Sequence, residues 1–272
     1  MRGKLDLVIA VNRRDRSFIS RMHYLFPLKI LRPFYLDEIG TAFVYVLDTA
    51  GGMLAGDSLA YNIRVDDGAR LYLTNASTAK CYTMPNGDAR VAQHFSIGSR
   101  ASLEFFPEES MLFRDTSLET VTRIDAQRDS GFAFCEMYAG GRKHAGEIFE
   151  FRRLENRFEI RIDGKLAIWE NYRLEGGMLR PGRPGYLEHY THWGNLYMYA
   201  SHESGVALKA VQECLAEFER DGFRAGCSLH PSGVITVKAL SSEYEAVKNG
   251  FERIWSRLRP LMLKEELPYI RK

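Results

Sequence analysis

Short strand-like runs recur along the chain about ten residues apart, and this spacing constrains the fold more than any other feature. Turn signals such as Asp66-Asp67-Gly68 and Pro85-Asn86-Gly87 separate neighbouring runs. The pattern predicts a mainly β fold. The runs are Leu5–Val11, Thr41–Leu47, Leu59–Val65, Arg70–Thr74, Val91–Ile97, Ala101–Phe106, Thr120–Ile124, Phe132–Tyr138, Phe158–Ile162, Leu196–Ala200 and Val234–Ala239.

Helical periodicity is convincing in two segments, and both lie near the C-terminus. Apolar residues trace one face between Ser204 and Arg220, and again between Ser242 and Arg259. Ser242 and Glu245 have the spacing of a capping box at the start of the second helix. We expect both apolar faces to pack into the core.

Composition excludes several classes of protein. With 45% hydrophobic and 26% charged residues the chain is typical of globular proteins, and a net charge of +2 gives no sign of a nucleic-acid footprint. No apolar run approaches the roughly 20 residues of a membrane-spanning helix. Leu7–Val11, preceded by Lys4 and Asp6, is too short and too charged for a signal peptide. We therefore expect a cytoplasmic protein with one domain over residues 1–272.

The four cysteines are widely scattered and form no C-x-x-C motif. A chain of this size builds a core without disulfide bonds. We expect free, mostly buried thiols at Cys81, Cys135, Cys214 and Cys227.

The segment Gly51–Ser58 almost matches a phosphate-binding loop, but Asp57 stands where that loop needs lysine. A carboxylate there repels phosphate, so the segment does not bind a nucleotide. Gly51, Gly52 and Gly56 indicate positive φ angles or close backbone approach. The sequence leaves two interpretations open: a tight turn alone, or a turn that also presents a functional acid.

Two further acids lie in apolar strand-like runs. Glu136 follows Phe132 and Phe134 on one face of its run, and Glu170 lies in Leu166–Tyr172. A carboxylate on an apolar face is costly unless it is paired or has a function. We therefore treat both as candidate functional acids.

The glycine-rich segment Gly140–Glu147 follows an apolar strand and fits two interpretations. It is either a ligand-binding loop or a hairpin in which Arg142 and Glu147 pair across the turn. His189, His192 and His202 have a conceivable metal spacing, but no nearby cysteine or acid completes a set, so we predict surface or structural roles for them. Neither a nucleophile elbow nor a recognisable Cys/His pair is present.

Six motifs in order resemble urease accessory proteins of the UreD type, called UreH in some bacteria. The similarity runs from about Ser17 to the C-terminus but is weak over 180–202. The matching motifs are Pro27-Leu28 with Arg32-Pro33-Phe34-Tyr35, Val44-Tyr45-Val46-Leu47 into Gly51-Gly52 and Gly56-Asp57, Gly68-Ala69 into Leu73-Thr74 and Ala79-Lys80, Leu103-Glu104-Phe105-Phe106-Pro107, Gly141-Arg142 with Gly146-Glu147, and Trp255-Ser256-Arg257-Leu258-Arg259-Pro260.

The resemblance implies a fold, a function and a set of partners. The fold is a mainly β, helical or barrel-like stack of short-stranded sheets with two α-helices near the C-terminus. The function is that of a non-enzymatic chaperone for nickel insertion into apo-urease, together with a helical UreF-type protein and a UreG-type GTPase, without nucleic acid or membrane. No cofactor is tightly bound, and nickel(II) passes transiently.

The resemblance also implies roles for individual residues. Asp57, Glu136 and Glu170 would line the nickel route, and oxygen ligands suit a route because they hold nickel more weakly than imidazole or thiolate does. The remaining motif positions are structural. They are Gly51, Gly52, Gly56, Lys80, Gly141, Arg142, Gly146 and Glu147.

Two other functions fit the residues. One is a β-rich hydrolase of glycosidase type, which needs two carboxylates on the order of 5 to 10 Å apart across an open cleft. The other is a scaffold that joins its partners and carries no metal. An enclosed passage would favour a metal route, and an open substrate-sized cleft would favour the hydrolase.

Overall fold

The computed structural model describes residues 1–179, 185–200, 204–218 and 222–270. These residues form seventeen strands and two helices. The strands are β1 (Arg2–Val11), β2 (Ser17–Leu25), β3 (Leu28–Ile30), β4 (Ala42–Asp48), β5 (Ser58–Val65), β6 (Arg70–Asn75), β7 (Ala79–Cys81), β8 (Ala89–Ile97), β9 (Ser102–Phe105), β10 (Ser110–Leu112), β11 (Ser117–Ala126), β12 (Gly131–Ala139), β13 (Arg153–Ile162), β14 (Lys165–Leu174), β15 (His192–Ala200), β16 (Phe223–Leu229) and β17 (Ile235–Ser241). The helices are α1 (Ser204–Phe218) and α2 (Tyr244–Leu263).

The strands form two sheets that the chain visits alternately. Sheet 1 has the order β14-β13-β11-β8-β5-β1-β2, and sheet 2 has the order β16-β17-β15-β12-β9-β6-β4-β3, with β7 and β10 attached. Strands β5, β8, β11 and β13 pair in parallel in sheet 1, as do β4, β6, β9 and β12 in sheet 2. Each turn of the chain adds one strand to each sheet, as in a solenoid. The predicted β-rich stack with two C-terminal helices is confirmed.

The larger hydrophobic core lies between the two sheets. Alternating residues of β1, namely Leu5, Leu7 and Ile9, are fully buried, as period-two patterning requires. At the centre the ring of Phe134 lies 4.8 Å from that of Phe105, between centroids, and further aromatic rings surround the pair. The strand prediction succeeded because burial on one face imposes this alternation on the sequence.

The second core lies between the outer face of sheet 2 and the helices. Val211 and Cys214 of α1 and Phe251 and Trp255 of α2 are buried there, which confirms that the apolar helix faces belong to the core. No described helix is long and apolar enough to cross a membrane.

The predicted capping box at the start of α2 is wrong. Glu243 precedes the helix, and no side chain caps its first turn. The Ser242 hydroxyl instead donates a hydrogen bond to the carbonyl of His189 at 3.2 Å, and the Glu243 N–H donates to the Ser241 hydroxyl at 3.1 Å. The tertiary contact to the loop before β15 replaces the local one.

A buried ion cluster fastens α2 to the sheets. The Arg259 guanidinium, fully buried, donates to Asp37 at 2.6 Å and to Glu104 at 2.9 Å. Trp255 Nε1 also donates to Glu104, at 2.6 Å. Because burial disfavours its charged form, the pKa of Glu104 is raised, while the arginine opposes that shift.

Five strands lie outside the strand-like runs of the sequence: β2, β3, β7, β10 and β16. β2 is an edge strand, and most of its residues are exposed, including Met22 and Leu25. A strand exposed on both faces shows no alternation of apolar and polar residues, so periodicity does not reveal it.

Candidate functional site

Sheet 2 has a gap in the middle of strand β12. Residues 131–134 of β12 pair with β9, and Tyr138 and Ala139 pair with β10. Among the described residues no strand pairs with Cys135–Met137 on this side. The gap opens where β6 and β9 end and before β7 and β10 begin.

A cavity of about 350 Å³ occupies this gap and the space between the sheets. Glu136 and Tyr138 line it from one face of β12, and Cys135 and Met137 line it from the other face. Gly51 and Gly52 of the glycine-rich turn also line it, as do residues 74–75 and 77–81 and Glu108. The cavity therefore reaches from the glycine-rich turn to the buried acid on β12.

Glu136 lies in this cavity with amide groups as its partners. Its side chain accepts hydrogen bonds from Asn195 Nδ2 at 2.7 Å and from Asn156 Nδ2 at 3.1 Å. The residue is 9% exposed. Burial raises the pKa of Glu136 to about 7, although the hydrogen bonds from the two side-chain amides favour the ionised form. The site thus holds a carboxylate that changes charge near neutral pH.

A polar row extends from Glu136 across sheet 2. Glu136 pairs in register with Asn195 on β15, which pairs with Lys238 on β17. The Lys238 ammonium donates to the Glu170 carboxylate of sheet 1 at 2.6 Å. Asn195 and Lys238 also line a second cavity of about 550 Å³. The row therefore connects the inner cavity with the second one and brings Glu136 and Glu170 into one arrangement.

Asp57 lies apart from this row. It precedes β5, three strands from Asn156 on β13, which places them about 14 Å apart from strand spacing alone. Its carboxylate pairs with the Met1 ammonium at 2.5 Å and accepts the Leu54 N–H at 2.8 Å. Asp57 therefore fixes the end of the glycine-rich turn next to the cavity, and it does not line the cavity.

The glycine-rich turn Gly51–Ser58 shows both features that its glycines indicated, positive φ angles and a close backbone approach. Gly51 and Gly56 have φ angles of 75° and 81°. A Cβ on Gly52 would lie 2.6 Å from both the Lys80 carbonyl oxygen and the Tyr82 ring. Gly52 is therefore required for the close approach of the turn to β7, where Met53 N–H donates to the same Lys80 carbonyl at 2.8 Å.

The segment Gly140–Glu147 connects sheet 2 to sheet 1 and is not a hairpin, because β12 and β13 belong to different sheets. The expected ion pair is present, with Arg142 Nε donating to Glu147 at 2.9 Å. This bond holds the pKa of Glu147 below its usual range. A Cβ on Gly141 would lie 2.4 Å from the Glu147 carbonyl oxygen, and Gly146 has a φ of 79°. All four motif residues therefore close the loop.

Two of the three candidate histidines fall within the described residues, and His202 lies outside them. His189 is exposed, with its ring 4.1 Å from that of Tyr190. His192 is buried, and its Nε2 lies 3.6 Å from Glu109 Oε2. The sequence did not reveal Glu109 as a neighbour of His192, because the two residues come together only through the pairing of β10 and β15 with β12.

Among the described residues no group of three or more histidine, cysteine, aspartate or glutamate side chains has the geometry to hold a metal ion. The four cysteines are free, and three are buried, as predicted. Burial raises the pKa of Cys81, which lines the cavity, to about 12. Without a bound metal the Cys81 thiol is therefore protonated at neutral pH.

The buried amides Asn156 and Asn195 were missed at the sequence level. Both occupy inward-facing positions of apolar strands, and they are 0% and 6% exposed. The argument that identified Glu136, a polar side chain on an apolar face, applies equally to them.

Comparison with known proteins explains why these motifs occur together. The family model described as UreD urease accessory protein matches residues 1–272. The chain belongs to the UreD family. A UreD urease accessory protein of Bacillus cereus (strain ATCC 10987 / NRS 248) is 25% identical over 270 residues, covering 99% of this chain and 98% of the relative. The corresponding protein of Staphylococcus epidermidis (strain ATCC 12228 / FDA PCI 1200) is 24% identical over 271 residues, covering 99% of this chain and 97% of the relative.

Membership of the UreD family indicates a role in urease maturation. Because the match spans the whole chain, it includes the glycine-rich turn, the cavity and the polar row. These features are therefore the parts of a UreD-family protein to which a function has to be assigned.

Proposed function

We propose that the protein helps insert nickel into urease by conducting nickel(II) through its interior, without catalysing a reaction of its own. It works in the cytoplasm in a complex with a UreF-type protein, a UreG-type GTPase and the urease apoprotein. The observation that carries the proposal is Glu136, a buried carboxylate held by two amides in a cavity between the sheets. Glu170 accepts from Lys238 of the polar row, and Asp57 fixes the end of the glycine-rich turn that lines the cavity, so we assign both to the same path.

The chemistry of the path suits transfer of an ion. Nickel binds carboxylate and carbonyl oxygen more weakly than imidazole or thiolate, so an oxygen-lined path releases the ion again. Glu136 supplies one carboxylate, and the row of Asn195, Lys238 and Glu170 continues toward the second cavity. Because the Lys238 ammonium is bound to the Glu170 carboxylate, a cation that binds Glu170 must displace it.

The enclosure of Glu136 favours a route over the hydrolase alternative. A glycosidase needs an open cleft for its substrate between two carboxylates. Glu136 is 9% exposed, and Glu170 is already paired with Lys238. The cavity around Glu136 has room for an ion with its waters.

The test is the nickel content of urease purified from a urease-positive cell that lacks this gene. We expect urease to accumulate with little nickel, and expression of the wild-type chain to restore loading. Expression of Glu136→Gln should restore loading poorly while the variant still co-purifies with its partners. Glu159→Gln is the matched control, because Glu159 alternates with the buried residues of β13 and pairs with Arg161 in the same strand.

Fully nickel-loaded urease from the deletion cell would refute the proposal. Normal loading by both Glu136→Gln and Glu170→Gln would refute conduction and leave the scaffold function.

A further inference from the structure

A buried histidine and a buried glutamate lie close together beside the cavity, outside the polar row. His192 begins β15, and Glu109 immediately precedes β10. The two residues are 9% and 3% exposed. His192 Nε2 lies 3.6 Å from Glu109 Oε2.

The hydrogen bonds around His192 determine which ring nitrogen carries the proton. The Thr191 hydroxyl donates its one hydrogen to the Ser242 carbonyl at 3.1 Å, so it acts as acceptor toward His192 Nδ1 at 3.0 Å. The neutral imidazole is therefore protonated at Nδ1, which leaves the Nε2 lone pair free, 3.6 Å from Glu109 Oε2. Metal-binding histidines are oriented in the same way, through a hydrogen bond at the second nitrogen.

Glu109 has an unsatisfied acceptor atom close to His192 Nε2. Its Oε2 has no hydrogen-bond partner among the described residues. When Glu109 is ionised, its Oε2 and His192 Nε2 are both acceptors, and they leave a position for a cation between them. Burial, together with the charges of Glu108 and Glu245, raises the pKa of Glu109 to about 7.

The distance between the two atoms suits a divalent transition-metal ion. An ion about 2.1 Å from both atoms, separated as they are by 3.6 Å, would have a ligand–metal–ligand angle of about 120°. An imidazole with a carboxylate suits nickel, cobalt or zinc better than calcium or magnesium. No third histidine, cysteine or acid in the described part of the chain completes a cage, so water fills the remaining positions and binding is weak.

The pair adjoins the cavity. Glu108 and Ser110, on either side of Glu109, line the cavity. On the other side, the charges of Glu243 and Lys143 act on the pKa of His192, which burial lowers. Lys143 and Glu243 form an ion pair that joins the Gly140–Glu147 loop to the start of α2.

We propose that His192 Nε2 and the Glu109 carboxylate form a transient site for a divalent transition-metal ion, through which the ion passes from the side of the Gly140–Glu147 loop into the cavity. The identity of the ion as nickel(II) rests on the proposed function, whereas the existence of the site does not. It assigns a ligand role to a histidine for which the sequence predicted a structural or surface one.

The test measures metal binding by the full-length protein with NiCl₂ and CoCl₂ as probes. In NMR spectra, substoichiometric Co²⁺ should broaden the ring resonances of His192 before those of the exposed His189. In calorimetric titrations, His192→Gln and Glu109→Gln should each weaken binding at this site by about tenfold or more. His189→Gln, the matched control, should leave the affinity unchanged.

Unbroadened His192 resonances at Co²⁺ concentrations that broaden other histidines would overturn the inference. Unchanged affinity in both His192→Gln and Glu109→Gln would overturn it as well. If a variant fails to fold, the NMR measurement on the wild-type chain still decides. If the binding measurements refute the His192–Glu109 site while Glu136→Gln loads urease poorly, the proposed function still stands. If cells without the gene load urease normally, the proposed function is refuted, and the binding measurements alone decide whether the metal site exists.

Discussion

Glu136→Gln removes one buried charge and almost no volume. The wild-type carboxylate accepts from the amides of Asn156 and Asn195. Glutamine keeps one acceptor for Asn195, and its new amide hydrogens require an acceptor of their own. Asn156 Oδ1 has no hydrogen-bond partner among the described residues, so a turn of the Asn156 amide supplies that acceptor. The variant should therefore fold normally.

The effect of Glu136→Gln on stability depends on pH. The pKa of Glu136 rises from 4.5 to about 7 on folding. Between these values the native state retains a proton that the unfolded chain has lost, so the free energy of unfolding falls by about 1.4 kcal/mol per pH unit. The loss totals about 3 kcal/mol above pH 7, and it is absent below pH 4.5, where both states are protonated. Glutamine does not ionise, so the variant avoids the loss.

Urea unfolding at pH 5 and pH 8 measures this difference. At pH 8 we expect Glu136→Gln to be more stable than the wild type by up to about 3 kcal/mol, and at pH 5 by less than about 1 kcal/mol. Glu159→Gln, the surface control, should show neither change. The same variant should activate urease poorly. A variant equal to the wild type in stability at pH 8 would refute the buried-charge reasoning, and full urease activation would refute the role of Glu136 in the route.

Three further predictions follow from the geometry. Gly52→Ala should lower the free energy of unfolding by more than Gly56→Ala, because its Cβ would clash at 2.6 Å whereas Gly56 faces open space, as thermal melts of both variants would show. Arg259→Gln leaves Glu104 buried without its cation and should cost about 3 to 5 kcal/mol in chemical unfolding. Glu170→Gln breaks a partly exposed ion pair, so stability should change by less than about 1 kcal/mol while urease activation falls.

The strands were predictable from the residues where one face is buried, whereas the stacking of the sheets was predictable only from the family resemblance. Burial of alternate residues on strands such as β1 imposes a pattern that the sequence records directly. The turns of the solenoid are related by backbone pairing in register, which requires no repeated residues. β5, β8 and β11 therefore occupy equivalent positions without needing similar sequences.

The candidate site was predictable only where a single residue contradicts its local surroundings. Glu136 is conspicuous because it interrupts an apolar strand. His192 and Glu109 each look unremarkable locally, and their contact depends on which strands become neighbours in sheet 2. Asp57 was located correctly beside a glycine-rich turn, but its partner, the Met1 ammonium, comes from a distant part of the chain.

The partners of the acids determine what each substitution can reveal. Asp57 and Glu170 are each paired with an ammonium group, so their charge is compensated in the folded protein. Glu136 accepts hydrogen bonds from neutral groups, the Asn195 and Asn156 amides and the Tyr138 hydroxyl, so its charge is opposed by burial and stabilised mainly by dipoles. Removing the charge of Glu136 therefore removes the free-energy cost of burying that charge. Removing the charge of Glu170 leaves Lys238 without its ion-pair partner at a partly exposed site. If urease activation falls in both Glu136→Gln and Glu170→Gln while the free energy of unfolding changes in only one of them, the loss of activation follows from the missing carboxylates and not from damage to the fold.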